Sequence, residues 1–380
     1  MKLLFYKPSL RKNILGKVVL GLTGAFLLLP SLPAQMYSRL PSPSKQANDP
    51  LPPGGIKLQV VAFGDSLEDV GTYAPVIEPK FGGGLFTTNP GEIWPQLVAA
   101  HYGDKLTPAF VGGFGMPLLS AGGMGFAQGG SRVSLQPGVG HAAAGTPNAD
   151  FAEKTTIPVT QQVSEYLAAY GSFNSNQLVL MNGGGNDLLV NLQAAQSDPL
   201  KLPAAIIAVE KAAVELAGVI TQVRKAGATH IVVLNVADFG SAPEGLATFD
   251  QGKTLRVIVK AFNDTLKTTL FLQGSLNKVI YIDSFSFLDQ VIANFQGYGF
   301  TVSNTAIACN LQAQVALATQ LGLNDPAQFA DSLACSPQTY VTPTADQTFM
   351  FADAIHPTAR YSALFAQFVE QQIAASGLGK

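Results

Sequence analysis

Four short apolar runs, each ending in a cluster of Gly, Asn, Asp or Ser, constrain this 380-residue chain more than any other feature. They are Leu58-Gln59-Val60-Val61-Ala62-Phe63, Gln177–Met181, His230–Leu234 and Lys278-Val279-Ile280-Tyr281-Ile282. Each is aliphatic and β-branched, long enough for a strand and short for a helix, which suits strands buried on both faces. Between them lie stretches with apolar residues at three- and four-residue spacing: 93–102, Val159–Tyr170, Leu202–Lys225, 255–272 and 358–373. Strands alternating with helices predict right-handed βαβ units and a parallel sheet covered on both faces. The pattern gives one α/β domain over residues 57–376. The Gly-rich stretch 81–148 reads as long loops, and no internal repeat is visible.

Composition fits a folded, loop-rich protein: 47% of residues are hydrophobic, only 13% are charged, and 38 are Gly. The net charge of −2 and the lack of a basic cluster beyond the N-terminus leave no electrostatic footprint for nucleic acid. Lys2, Lys7, Arg11, Lys12 and Lys17 precede an apolar run, 18–29, that stops at Pro30 and is followed by Ser31-Leu32-Pro33-Ala34-Gln35. A positive flank, a short apolar stretch and a small residue form an export signal over 1–34. The run falls short of the roughly 20 residues that span a bilayer. An uncleaved anchor is the alternative. Residues 35–56, Pro- and Ser-rich, read as a linker. Export predicts a periplasmic or secreted protein. In that setting the two cysteines, Cys309 and Cys335, read as a disulfide, with two buried thiols as the alternative. No His stands at ligand spacing to either, so no metal site is expected.

In an open parallel sheet the ligand site lies beyond the carboxyl ends of the strands, so the residues that follow each run matter most. After the first comes Gly64-Asp65-Ser66-Leu67, where a hydroxyl leaves a strand; capping of a following helix is the competing role for Ser66. After Met181 comes Asn182 and then Gly183-Gly184-Gly185-Asn186-Asp187, which combines close backbone approach with an amide donor, or else is a tight turn and helix cap. Near the C-terminus, Asp353-Ala354-Ile355-His356-Pro357 places a carboxylate three residues before an imidazole. Such an Asp can fix the tautomer of the His and leave its other nitrogen as a base. A surface His beside an unrelated Asp is the alternative. His101, His141 and His230 lack such a local partner. Gly252-Lys253-Thr254 is no phosphate loop, because Ala247 stands where a glycine is needed. Glu68 breaks the nucleophile-elbow pattern of the larger α/β-hydrolase fold.

Taken together, these segments resemble the blocks of the GDSL esterases and lipases, also called SGNH hydrolases. Phe63-Gly64-Asp65-Ser66-Leu67-Glu68-Asp69 looks like the first block, Gly184-Gly185-Asn186-Asp187 the third, and Asp353 to Thr358 the last. The second appears as Gly125-Phe126-Ala127-Gln128-Gly129-Gly130-Ser131, with Gly125 where Asn is usual. The order and spacing of the blocks cover residues 58–372. The resemblance implies a flavodoxin-like three-layer sandwich with a parallel central sheet. It also implies Ser66 as nucleophile, His356 as base and Asp353 as its orienter. The oxyanion donors would be Ser66 and Gly130 through their N–H groups and Asn186 through its side chain. No cofactor is implied. The implied substrates are lipid or short-chain acyl esters, with transient contact to membrane lipid; oligomeric state is left open. Lipid acyl transfer, carbohydrate deacetylation and non-catalytic binding are the alternative functions. The segment 296–351, which holds both cysteines and an amphipathic stretch at 311–321, is expected to form a disulfide-pinned flap that shields an acyl chain and steadies the Asp353–His356 turn. Thr87, Thr88, Asn89 and Trp94 are candidate pocket residues, with packing the first reading for Trp94.

Overall fold

In chain order the elements begin with β1 (Gln59–Phe63), α1 (Ala74–Phe81), α2 (Trp94–His101), β2 (Phe110–Gly113), β3 (Met116–Ser120), α3 (Val159–Tyr170), β4 (Gln177–Met181) and α4 (Gly185–Ser197). There follow α5 (Leu202–Lys225), β5 (His230–Leu234), α6 (Lys253–Leu272), β6 (Ile280–Ile282), α7 (Ser284–Ala293), β7 (Val302–Ile307), α8 (Leu311–Gln320), β8 (Phe349–Phe351) and α9 (Ala359–Ala375). These come from a computed structural model that describes residues 51–142 and 153–379, all within one compact unit. The expected export signal at 1–34, and the expected linker up to residue 50, lie outside the described residues. Among the described residues no helix is long and apolar enough to cross a membrane.

The four runs pair in the order β1-β4-β5-β6, all parallel, with Val61 opposite Val179, Val179 opposite Ile231, and Val232 opposite Ile280. Successive side chains on a strand point to opposite faces, and here each face has its own helical layer. Val61, Phe63, Val179, Met181 and Val233 pack with α3, α4, α5 and α6. Val60, Ala62, Leu178, Leu180, Val232 and Leu234 pack with α2, α7 and α9. This is the three-layer α/β sandwich with a parallel sheet that the sequence predicts. On the other edge of β1, Gly125 bridges to Ala62. The chain therefore leaves β1 in one direction, returns, and crosses to β4 on its other side. The strand order reverses at β1, which is where a crevice opens.

The structure departs from the sequence reading in several places. The fourth run pairs only from Ile280, because as an edge strand it has one neighbour, and residues Leu276–Lys278 form a 3-10 turn instead. The stretch 81–148 contains the hairpin β2–β3 as well as loops; Phe114 and Gly115 both take positive φ at its turn, a geometry usually announced by Asn-Gly. Helix α1 carries Pro75 and Pro79, which hid it from a propensity reading. Residues β7 and β8 form a separate parallel pair, and β8 leads directly into Ala352–His356.

Gly184 ends the turn after β4 at φ 102°, and a Cβ there would lie 2.1 Å from the Phe262 ring of α6. Gly184→Ala should therefore combine a disfavoured backbone with overpacking, for a loss of about 3 kcal/mol. Thermal unfolding should show a midpoint lower by roughly 5 °C; an unchanged midpoint would show that the turn relaxes freely.

Candidate active site

Ser66 leaves β1 three residues after its last strand position and is 7% exposed. No helix follows it immediately, since α1 starts at Ala74, so the helix-capping role does not arise. The turn is fixed from two sides. Gln162 of α3, fully buried, accepts from the Gly64 N–H at 2.9 Å and donates to the Gly64 carbonyl at 2.8 Å. Asp69 accepts from Gly71, Thr72 and, across the crevice loop, Gly129 at 2.8 Å. The Tyr73 hydroxyl donates to the Gly129 carbonyl at 3.0 Å. Gln162 and Tyr73 escaped the sequence reading, because a Gln on an amphipathic helix and a Tyr in a loop carry no signature of what they will meet.

The imidazole arrives from the other end of the chain. His356 Nε2 lies 2.8 Å from Ser66 Oγ, and its Nδ1 lies 2.7 Å from Asp353 Oδ2. Asp353 Oδ1 also accepts from the backbone N–H groups of Ile355 at 3.0 Å and His356 at 2.8 Å, and Oδ2 accepts from Ser332 at 2.7 Å. Burial alone would raise this carboxyl; the adjacent imidazole and the converging N–H groups outweigh it and hold the group well below the usual carboxylate range. A carboxylate only accepts, so Nδ1 carries the proton and Nε2 presents its lone pair to the Ser66 hydroxyl. The face of the imidazole rests on Phe86, with ring centroids 5.1 Å apart.

Asn186 is the second residue of α4. Its side-chain amide donates to the Ser131 carbonyl at 2.9 Å, which fixes its orientation. The neighbouring Asp187 accepts from Arg132 Nε and from the Val133 N–H, both at 2.9 Å. The Gly130–Val133 loop and the start of α4 are thus stitched together. Gly130 has φ 85°, and a Cβ there would strike the Val139 carbonyl. Ser66, Asn186 and His356 line one small crevice with Leu189 and Phe239; Gly130 is not among the lining residues. Beside it opens a larger, mainly apolar cleft between the strand ends and α9, sharing Asp65, Leu67, Gly185, Phe239 and Ile355 with the crevice.

Cys309 and Cys335 form a disulfide, with Cα atoms 5.7 Å apart. Ser332, three residues before Cys335, is the donor to Asp353, and the Cys309 N–H donates to the Ala352 carbonyl at 3.0 Å. The disulfide segment therefore steadies the Asp353–His356 turn. Of the expected flap, 296–351, only Met350 and Phe351 at its end line the cleft, so the part that carries the disulfide does not shield it. Thr87, Thr88 and Asn89 do not line it either. Their side chains are spent on backbone: Thr87 donates to the Pro357 carbonyl, Thr88 accepts from Ala359, and Asn89 donates to the carbonyls of Ser332 and Cys335. Trp94 packs edge-on against Phe365 and also forms part of the cleft wall.

The arrangement can deprotonate a hydroxyl beside an amide donor and an apolar cleft. A family model for GDSL-like lipase/acylhydrolase proteins matches residues 60–369. The chain belongs to that family. No curated protein matches it. The matched span takes in every segment that builds the crevice, from β1 to the middle of α9, and family membership makes the protein a hydrolase of ester substrates. Asp65 directly precedes Ser66.

Asp65 is buried and its carboxyl is raised from 3.8 to about 6, chiefly by desolvation, with the Leu67 N–H and the positive character of His356 working the other way. Glu68, wholly buried, is raised as well, by burial and by the neighbouring Asp65. A raised folded-state value means that stability from a protonated Asp65 is fully present below about pH 4 and is lost as pH rises through about 6. That displacement is worth on the order of 3 kcal/mol. Asp65→Asn should therefore be more stable than the parent at pH 8, with the difference vanishing near pH 4. Urea unfolding at pH 4, 6 and 8 measures it; a difference independent of pH would contradict the account. In a second experiment, replacing both cysteines by Ser should cost about 3 kcal/mol of stability. Freed motion of Ser332 should lower kcat for ester hydrolysis more than it changes KM, and kinetics equal to the parent would separate the disulfide from the Asp353 turn.

Proposed function

We propose that the protein hydrolyses carboxylic esters, with lipid or other acyl esters as substrates, through an acyl-serine intermediate. The observation that carries this reading is the unbroken chain Ser66–His356–Asp353, with links of 2.8 and 2.7 Å, opening on a crevice that Asn186 also lines. Ser66 Oγ attacks the ester carbonyl carbon while its proton passes to His356 Nε2. The negative charge that forms on the carbonyl oxygen meets the Asn186 amide, whose other hydrogen is already committed to Ser131. Ser66 and Gly130 are the proposed backbone donors; among the described residues neither N–H donates elsewhere. The tetrahedral intermediate then collapses, His356 returns its proton to the departing alkoxide, and the alcohol leaves. Water, deprotonated by the same imidazole, attacks the acyl-serine, releases the acid and restores Ser66. Asp353 stays ionised throughout and stabilises the imidazolium.

An alcohol in place of water would give acyl transfer with the same residues and no further machinery. The apolar cleft beside the crevice favours acyl groups larger than acetyl over carbohydrate deacetylation. The N-terminal pattern and the disulfide together support export to the periplasm or medium.

Labelling with a fluorophosphonate probe should modify Ser66 and be abolished in Ser66→Ala. The same variant should lose turnover of p-nitrophenyl esters and of a lysophospholipid. Asn186→Ala should retain the fold and lose about a hundredfold or more in kcat. A protein that binds esters yet takes no label would be a non-catalytic member of the family.

A further inference from the structure

One hydrogen bond, from His356 Nδ1 to Asp353, fixes the distance of the imidazole but not its tilt, and a tilted ring no longer aims the Nε2 lone pair at Ser66 Oγ. The Phe86 ring supplies the missing restraint, with centroids 5.1 Å apart and planes inclined by 34°. Phe86 is buried and is itself held. Tyr73 packs perpendicular to it with centroids 6.3 Å apart, and Gly129 lies so close that a Cβ there would be 2.2 Å from the Phe86 Cζ. A further neighbour is charged: Lys154 Nζ stands over the same ring, 5.2 Å from its centroid, at the distance of a cation–π contact.

Lys154 has two other attachments. Its ammonium pairs with Asp331 Oδ2 at 2.6 Å, and the two side chains are only 12% and 19% exposed. Asp331 directly precedes Ser332, whose N–H donates to Asp353 Oδ2 at 2.7 Å, and its other oxygen accepts from the Leu333 N–H at 3.0 Å. Through its backbone, Lys154 donates to the Gly140 carbonyl at 3.1 Å, and the adjacent Val139 N–H donates to the Gly130 carbonyl at 2.9 Å. One residue therefore reaches the ring beside the base, the segment that orients the carboxylate, and the loop of Gly130. Withdrawing an ammonium and a carboxylate from water brings little net stability, so the pair is better explained by the geometry it fixes.

We propose that Lys154 is a positioning residue for the reaction: its ammonium, held by Asp331, locks Phe86 against the His356 imidazole and ties the Gly130 loop to the segment that orients Asp353. The inference rests on the esterase reading, in which Nε2 takes a proton from Ser66 and then returns it to the departing alkoxide. Both transfers need the ring in one plane, and small misplacements of a reacting group are costly. Neither Lys154 nor Phe86 lines the crevice or the cleft. Loss of the Lys154 charge should therefore spare substrate binding and slow the chemical steps.

The test measures kcat and KM for p-nitrophenyl butyrate in the purified parent, Lys154→Met, Asp331→Asn and the double variant. Each rate is expressed per Ser66 titrated to completion with a fluorophosphonate, which removes any effect of incomplete folding. Both single variants should lose about tenfold or more in kcat, with KM within about twofold of the parent. The double variant should fall no further than the worse single one, because the two residues act as a unit. A kcat per labelled site equal to the parent's in Lys154→Met, a loss confined to KM, or losses that multiply in the double variant would overturn the proposal while leaving the esterase reading intact. A parent that neither takes the label nor hydrolyses the ester would instead remove the esterase reading on which it stands.

Discussion

Four N–H groups converge on the carboxylate of Asp353: those of Ile355, His356 and Ser332 from the backbone, and Nδ1 of the His356 ring. Their geometry determines the rest of the site. With both oxygens occupied, the carboxylate remains charged despite its burial, and the charge fixes which nitrogen of His356 faces Ser66. Three of the four donors belong to the same short turn, residues 353–356. Ser332 does not. It is delivered by the disulfide segment, and Asn89 in turn holds the carbonyls of Ser332 and Cys335. The orientation of the imidazole thus depends on residues 89, 332 and 353, brought together only by folding.

Around this ionised group burial pushes other carboxyls in the opposite direction. Asp65, Glu68, Asp69 and Asp187 are all buried, and for each of them burial is the leading influence and raises the carboxyl. Asp69 and Asp187 act as staples, receiving backbone N–H groups from the loops that carry Gly129 and Val133. The same side-chain chemistry therefore orients an imidazole in one place and ties loops together in others.

Much of this was legible beforehand. The strands at Gln177–Met181 and His230–Leu234 and the helices Val159–Tyr170 and Leu202–Lys225 have the limits read from periodicity, because a two-sided sheet and its covering helices impose strict burial on every turn. Ser66, Asn186, Asp353 and His356 were legible because each sits just past a strand, where backbone geometry demands recognisable residue types. Gln162 was not, since its two contacts with Gly64 span 98 positions. Thr87 and Thr88 were misread as pocket residues, since polarity in a loop does not reveal that the hydroxyl will be consumed by a backbone partner from α9 or its approach.

The sequence by itself determined the alternation of strands and helices, the positions of the reactive side chains along the chain, and the glycines that let loops approach closely. These are local properties, set by side-chain period and backbone sterics. Only the tertiary structure decided that β1 is flanked on both sides, so that its end becomes the crevice, and that an imidazole 290 residues from the serine lies 2.8 Å away. Long-range pairing is settled by how whole faces pack, and no local pattern encodes which distant surface will be met.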